Sequence, residues 1–379
     1  MTQTLPPLPI ATGEPAPSFT QASADNPRYA FDTAAGRYLL LCFLHQAEPL
    51  AARHALDLGR RRRDLFDDRH ASFFAISTDP QDDAQRRLKN HIPGFRVIWD
   101  HDLRVSRLYG AADDTKQWQG LWVLVDPRMR LRAILPFAPD GSDVTQIEAI
   151  IAALPPPELH AGLTLQAPVL YLPEVFEPAL CQHLIGLYDA QGGTSSGFMR
   201  AVEGRTVGVM DRRHKSRRDI VLEEGPLLAT IRNRIIRRVV PEIAKAHQFH
   251  VTRMERYIVS CYDSAEGGHF GAHRDNTTPG TAHRRFAVSI NLNDDFDGGE
   301  VGFPEYGSRS FKAPVGGAVV FSCSLLHAVS TVTAGRRYAF LPFLYDDAAA
   351  RLRKANQARE TGMPILTTAG QPPAHETGP

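Results

Sequence analysis

Cysteine, net charge and long apolar stretches are all scarce in this 379-residue chain. Its four cysteines, Cys42, Cys181, Cys261 and Cys323, stand singly in apolar surroundings with no C-x-x-C pair. That pattern excludes a disulfide scaffold and a cysteine zinc site, and it reads as buried thiols in a reducing compartment. Basic and acidic residues number 43 and 42, so no whole-molecule field favours nucleic acid or an anionic membrane surface. No apolar run reaches the length of a membrane span. The Pro-rich start, through Ala16, has no basic residue ahead of an apolar core, so a signal peptide is not expected. A cytoplasmic location is the expectation that follows. There is no tandem repeat and no G-x-x-x-x-G-K to cradle a nucleotide phosphate. The three tryptophans, Trp99, Trp118 and Trp122, are expected to pack in the first half of the chain.

What is present suggests two domains with tails. Residues 1–17 are expected to be a flexible arm, 18–155 a first domain, 156–167 a Pro-rich linker, 168–346 a second domain and 347–379 a charged helix with a disordered tail. In the first half, Tyr38 to Leu44 is a continuous apolar run, as for a strand buried on both faces. Helix is expected from Glu48 to Phe66 and from Asp82 to Asn90, strand over Ser72 to Ser77 and Phe95 to Trp99, and a hairpin over Leu121 to Leu135. Alternating strands and helices finished by a hairpin and helix predict an α/β sandwich of thioredoxin type. The basic run Arg60 to Arg63 lacks interleaved aromatics and sits among Asp57, Asp64, Asp67 and Asp68, so a solvated helix end is expected there.

Gly36 to Leu44, Ala75 to Asp79, Asp102 to Gly110 and Leu121 to Arg132 together resemble the peroxiredoxin branch of the thioredoxin superfamily. The resemblance implies the fold and also a requirement, a low-pKa cysteine at the start of the helix after the first core strand. His45 to His54 contains none, and Cys42 lies inside the strand. A redox-silent module for docking or dimerisation is therefore expected, with thiol peroxidase activity as the least favoured alternative.

In the second half, Val169 to Leu172 reads as strand and Pro178 to Gln191 as helix, with His183 on its packed face. Gly192 to Gly208 reads as loop and Leu227 to Phe249 as a helix that Pro241 breaks or kinks. His273-Arg274-Asp275 is the only H-x-D among fifteen histidines. A histidine and an aspartate two apart in an extended segment project to one side. With His327, delivered by a later apolar strand, they offer the two imidazoles and one carboxylate used for non-haem Fe(II). Arg285 to Asn293 alternates, with Ser289 and Asn291 on the polar face. Many short strands with Gly turns predict a barrel or jelly roll.

The order of H-x-D, L-N-x-x-F-x-G-G-E over Leu292 to Glu300 and H-x-x-x-x-V-T-x-G-x-R over His327 to Arg337 resembles the prolyl-4-hydroxylase type of Fe(II)- and 2-oxoglutarate-dependent dioxygenase. The resemblance implies a double-stranded β-helix with His273, Asp275 and His327 as iron ligands. It implies Arg337 as the partner of the distal carboxylate of 2-oxoglutarate, with Arg336 the second choice, and Tyr262 beside the cosubstrate. Asn291 stands where animal oxygen-sensing relatives have a tyrosine, and with Ser289 it is expected to face the cosubstrate. The retained carboxylate Asp275 argues against halogenation. The implied activity is an O2-dependent hydroxylation of a C–H bond, most readily in a prolyl residue of a peptide or protein, with release of succinate and CO2 and with ascorbate as an optional reductant. The alternative is an iron- and 2-oxoglutarate-binding sensor or scaffold without turnover. Arg212 and Arg218, within a basic segment read foremost as a solvated loop, and Glu300 and Tyr306, near the expected mouth, are the candidates for contact with substrate. No nucleic-acid or membrane partner is expected, and a homodimer is.

Overall fold

The computed structural model divides into two compact units, Met1–Gln166 with Pro304–Ser308, and Ala167–Phe303 with Arg309–Pro379. It describes residues 9–357, apart from 116 and 203, together with the backbone of 365–367.

The first unit runs β1 (Thr20–Ser23), β2 (Tyr29–Ala30), β3 (Tyr38–Leu44), α1 (Leu50–Arg61), β4 (Ala71–Ser77), α2 (Pro80–Ala84), β5 (Phe95–Trp99), α3 (Arg104–Tyr109), β6 (Leu121–Val125), β7 (Leu131–Pro136) and α4 (Ser142–Ala152). Its sheet has the order β2-β1-β5-β4-β3-β6-β7. The central strands β3, β4 and β5 are parallel. β3 and β4 are buried along their whole length, which is why β3 is an unbroken apolar run and β4 is interrupted only by Ser72 and Ser77. Ala55 and Leu56 of α1 and Ile147 and Ile151 of α4 pack on this sheet around Phe73 and Trp122. This is the expected thioredoxin-like α/β architecture.

Two helices are shorter than the composition suggests. α2 begins two residues earlier than expected, capped by Asp79 accepting from the Gln81 N–H, and it ends at Ala84. Arg86 then turns left-handed at φ 52°, and the Asn90 side chain bonds the Val97 N–H instead of continuing a helix. α1 stops at Arg61, where Arg61 and Arg62 both pair with Glu148 and Arg62 also meets Asp64 at 2.6 Å. The arginine run is thus the expected ion-paired helix end. Cys42 is fully buried in β3, and burial, assisted by Asp143, pushes its thiol pKa well up.

The second unit runs β8 (Leu170–Leu172), α5 (Pro178–Gln191), β9 (Thr194–Ser195), β10 (Phe198–Val202), β11 (Arg205–Met210), β12 (Lys215–Ser216), β13 (Arg218–Val221), α6 (Pro226–Arg238), α7 (Val240–His247), β14 (Arg253–Glu255), β15 (Ile258–Asp263), β16 (His269–His273), β17 (Phe286–Asn291), β18 (Phe296–Asp297), β19 (Val301–Gly302), β20 (Ser310–Phe311), β21 (Ala318–Ser322), β22 (His327–Val329), β23 (Ala334–Phe340), β24 (Phe343–Tyr345) and α8 (Asp347–Gln357). The larger sheet carries β14-β24-β17-β23-β15-β13-β9, with β21 beside β17, and the smaller carries β12-β16-β22-β19-β20. The jelly-roll expectation is consistent with this pair of sheets.

Period-2 alternation decides what each strand of the larger sheet presents. Val259, Cys261, Val288, Ile290 and Phe340 join the core formed with Leu184, Leu228, Ile231, Ile235 and Ile243 of the helices. Their neighbours Tyr262, Ser289 and Arg337 line a cavity on the opposite face. The helix expected from Leu227 to Phe249 is two helices that meet at Val239, just ahead of Pro241.

Two expectations fail here. Gly192 to Gly208 is not loop throughout, because β10 and β11 pair antiparallel around the left-handed Gly204. His183 is solvent-exposed, not packed, since the buried stripe of α5 runs through Cys181, Leu184 and Tyr188. Within the tail, the backbone of Ile365–Thr367 pairs parallel with β11. The rest of the tail beyond Gln357, and the arm as far as Leu8, lie outside the described residues.

Candidate metal centre

β16 and β22 are antiparallel neighbours in register at His273 and His327, so the two imidazoles face one another across the smaller sheet. Their ring centroids are 4.2 Å apart. Asp275 follows β16, and its N–H donates to the Cys323 carbonyl at 3.0 Å, which holds the turn against the end of β21. Its carboxylate reaches both rings, Oδ1 at 3.6 Å from His273 Nε2 and Oδ2 at 3.4 Å from His327 Nε2. Ligand atoms of all three lie within 4.8 Å of one another, and among the described residues this is the group of histidine, cysteine and carboxylate side chains so arranged.

Hydrogen bonds set which nitrogen is available. His273 Nδ1 lies 2.8 Å from the Gly271 carbonyl and His327 Nδ1 3.1 Å from the Leu325 carbonyl. A carbonyl oxygen only accepts, so each Nδ1 carries the proton and each Nε2 keeps its lone pair for a metal. Burial, then the neighbouring His327, lowers the His273 pKa to about 4, so the ring is neutral at physiological pH. Burial alone would raise the Asp275 pKa, but His327 and His273 outweigh it and hold the carboxyl well below its usual range. Phe270 stacks on His273 with centroids 3.6 Å apart, and Phe321 packs on His327 at 4.6 Å, fixing both rings.

The triad opens into a cavity of about 450 Å³, its mouth included, which also exposes Tyr262, Ser289 and Arg337. Arg337 is only 2% exposed. Its Nε donates to Asn291 Oδ1 at 3.0 Å and its Nη2 to Ser289 Oγ at 2.7 Å. Nη1 is buried with no hydrogen-bond partner. The guanidinium lies 5.2 Å from the centre of the Tyr262 ring. Burial lowers its pKa, Tyr262 opposes that, and Arg217 adds to it. The Gly298-Gly299 turn permits this packing. A Cβ at Gly298, which is left-handed at φ 71°, would meet the Thr331 carbonyl oxygen at 2.1 Å, and one at Gly299 would crowd Arg337 Cδ at 3.0 Å.

The other residues singled out from sequence fall in different places. Arg336 is on the outer side of β23, paired with Asp263 at 2.8 Å, so Arg337 alone of the two enters the cavity. Asn291 reaches the cavity only through Arg337, its Nδ2 being used by the Ala313 carbonyl at 2.7 Å. Arg212 and Arg218 turn outward to Glu266, at 3.5 and 3.7 Å. The basic segment is nevertheless no solvated loop. Lys215 and Arg217 between them are buried in β12 and just ahead of β13, and Arg217 lines the cavity. Glu300 accepts from the Ser310 hydroxyl and braces its own turn, outside the cavity. Tyr306 belongs to the first unit, beneath the Arg128 guanidinium at 4.8 Å from its ring centre, and it does not line the cavity.

Sequence reasoning missed Arg217 and Arg256. Arg217 holds Asp219 bidentately, Nε and Nη2 each at 2.7 Å, and donates through Nη1 to the Tyr262 hydroxyl at 3.3 Å. An arginine and an aspartate two apart at a strand was the available signal, hidden in a basic run. Arg256 stands between β14 and β15 in the left-handed region at φ 68°, where no periodicity marks a side chain for the interior.

Residues 257–345 match the model of the 2OG-Fe(II) oxygenase superfamily, and residues 12–134 match that of the AhpC/TSA family. A PKHD-type hydroxylase of Cupriavidus metallidurans is 39% identical over 95 residues, covering 22% of this chain and 42% of that protein. Another, from Pseudomonas putida, is 28% identical over 187 residues, covering 45% of this chain and 75% of that protein. The chain thus spans less than half the length of the first of these relatives. A prolyl hydroxylase from Trichoplax adhaerens, solved in complex with a hypoxia inducible factor oxygen degradation domain peptide fragment, aligns with a TM-score of 0.40 at 16% identity, over 55% of this chain and 94% of that one. Mycobacterium tuberculosis AhpC aligns with a TM-score of 0.32 at 16% identity, over 38% of this chain and 93% of that one. Each half of the chain therefore matches a separate family, the oxygenase in the C-terminal part and the peroxiredoxin type in the N-terminal part.

Proposed function

We propose that the second unit is a 2-oxoglutarate- and O2-dependent hydroxylase whose iron is held by His273, Asp275 and His327, and whose substrate is a prolyl or other residue of a peptide or protein. The observation that carries this reading is the unpartnered Nη1 of Arg337, buried in the same cavity as two free imidazole nitrogens and a carboxylate. The donor set suits Fe(II), because it is two nitrogens and one oxygen on one side of a cavity, leaving the other positions open. The guanidinium suits a dicarboxylate, because a buried cation short of one acceptor gains most from an anion that supplies it.

When bound, Fe(II) with 2-oxoglutarate and O2 supplies the oxidising power that places one oxygen atom in a C–H bond and the other in succinate, with loss of CO2. The residues do the positioning. Asn291 and Ser289 fix the Arg337 fork and leave Nη1 without a partner, so that it would be the donor for the distal carboxylate. Gly271 and Leu325 hold the imidazole tautomers, and Phe270, Phe321 and Val329 would give the metal position an apolar wall. Ascorbate, as a reductant that restores Fe(II), belongs to this proposal. The first unit fits a redox-silent docking or dimerisation role, since its helix after β3 begins without a cysteine and Cys42 is sealed inside the sheet.

The test is mass spectrometry of a cell lysate incubated with the full chain, Fe(II) and 2-oxoglutarate. A protein that gains one oxygen atom only with the wild type, and not with His273→Ala, is the expected result. No such gain in any protein or peptide, while succinate still forms, would move the substrate to another class.

A further inference from the structure

The cavity has more positive charge than the cosubstrate uses. Arg217, Arg256 and Arg337 all line it. In the reading above Arg337 serves the distal carboxylate of 2-oxoglutarate. Arg217 is spent on Asp219, Tyr262 and, through Nη2 at 3.2 Å, Ser196. Lys215 nearby is tied to Ser196 Oγ at 2.8 Å and to the Gly197 carbonyl.

Arg256 is different. Its nearest carboxylate is again Asp219, 3.8 Å from Nη2, a carboxylate already engaged by Arg217 and by the Ser260 hydroxyl at 2.7 Å. Among the described residues its guanidinium makes no hydrogen bond, and it rests 5.4 Å from the centre of the Phe343 ring. Its neighbour Glu255 is taken by Arg284 and Arg353, both at 2.9 Å. Its backbone holds the left-handed conformation at φ 68°, which costs an L residue energy and is retained where the surroundings or a ligand compensate. Burial, and then Arg217, press its pKa down to about 10, so the group remains charged at neutral pH.

With Fe(II) and the 2-oxoglutarate dianion in place their charges cancel, Asp275 balances Arg337 and Asp219 balances Arg217. Among the three arginines of the cavity that leaves Arg256 without a carboxylate of its own, its nearest being the already paired Asp219 at 3.8 Å, and with guanidinium donors that make no hydrogen bond among the described residues. Those donors match a carboxylate, which takes a guanidinium fork in two parallel bonds.

We propose that Arg256 anchors a carboxylate of the prime substrate, so that the molecule oxidised carries a free carboxylate close to the C–H bond that reacts. This rests on the dioxygenase reading and narrows its substrate class. The carboxylate is either a chain end or an acidic side chain.

The experiment uses the full chain loaded with Mn(II) and 2-oxoglutarate, with binding read from solvent-proton relaxation by the bound metal. Three probes are titrated: N-acetyl-Ala-Pro as free acid, the same dipeptide as its amide, and N-acetyl-Ala-Pro-Asp amide. Wild type is expected to bind at least one carboxylate probe about 10- to 100-fold more tightly than the neutral amide, as a charged hydrogen-bonded contact provides. Preference for the free acid identifies a chain end, and preference for the aspartyl probe identifies an acidic side chain. Arg256→Met should abolish the preference with 2-oxoglutarate affinity unchanged, and Arg256→Lys should restore part of it, which a purely structural role would not do. Equal binding of acid and amide probes by wild type overturns the proposal. So does a variant that loses 2-oxoglutarate instead, which would place Arg256 in the cosubstrate site. Failure of the wild type to bind 2-oxoglutarate at all appears in the loading step and sinks the dioxygenase reading itself.

Discussion

Replacing Arg337 with methionine should separate binding from stability. In the protein without cosubstrate the guanidinium makes two hydrogen bonds, to Asn291 and Ser289, each worth about 1.5–3 kcal/mol for a charged donor. Against them stands the cost of a charge that is 2% exposed with Nη1 unsatisfied, a penalty of several kcal/mol. The two nearly offset, and Met fills most of the same volume, so unfolding in urea should shift by no more than about 2 kcal/mol in either direction. On the ligand side nothing offsets the loss. A buried carboxylate deprived of its guanidinium forfeits about 2–5 kcal/mol, or from about 30-fold to several thousand-fold in Kd. Anaerobic calorimetry of 2-oxoglutarate binding to the Mn(II)-loaded chain measures this directly, beside a urea titration of the same samples. Affinity in the variant within threefold of wild type would refute the assignment of Arg337. So would destabilisation beyond about 4 kcal/mol, because the guanidinium would then be a structural strut.

Three further outcomes follow from the same geometry. Asp219→Asn leaves Arg217 buried without its counter-charge and should cost about 3–5 kcal/mol in urea unfolding, with a change under about 1 kcal/mol counting against the pair. Glu255 has His283, Arg284 and Arg353 within 3.0 Å. Burial alone would raise its pKa, but these partners outweigh burial and lower it to about 2, so its contribution is full above the unfolded value near pH 4 and is lost as pH falls towards about 2. Glu255→Gln should therefore flatten the stability profile between about pH 4 and pH 2, and an unchanged acid limb would contradict this. Finally, the Cys42 thiol, pushed up by burial, should give no peroxide reduction above that of an unstructured thiol, and Cys42→Ser should leave any coupled peroxidase signal unchanged. A rate that disappears with that substitution would restore a redox role to the first unit.

Much of the candidate centre could be read from sequence because it rides on strands. His273, His327 and Arg337 each sit on a strand whose alternation sets their side, and Asp275 follows two residues after His273 in the turn that closes β16. The continuous apolar run of β3 marked the sheet of the first unit because a strand covered on both faces has no polar side. What escaped is instructive. Asn291 and Ser289, expected to face the cosubstrate, both accept from the Arg337 guanidinium, a relation only packing reveals. Arg217 was masked by charged neighbours of opposite sidedness, and composition gave no sign that the inward member of the run would be buried. The hairpin of β10 and β11 was hidden by glycine and serine around a short alternating pattern. Arg256 leaves no trace in periodicity, because a single left-handed residue between two strands resets the alternation.

The most direct measurement is the iron-dependent conversion of 2-oxoglutarate to succinate by the purified chain under O2. The wild type, reconstituted with Fe(II), should form succinate, and His273→Ala and His327→Ala should reduce it at least about 100-fold. No consumption of 2-oxoglutarate by wild-type protein shown to hold one Fe(II), or consumption that persists without iron, would contradict the account.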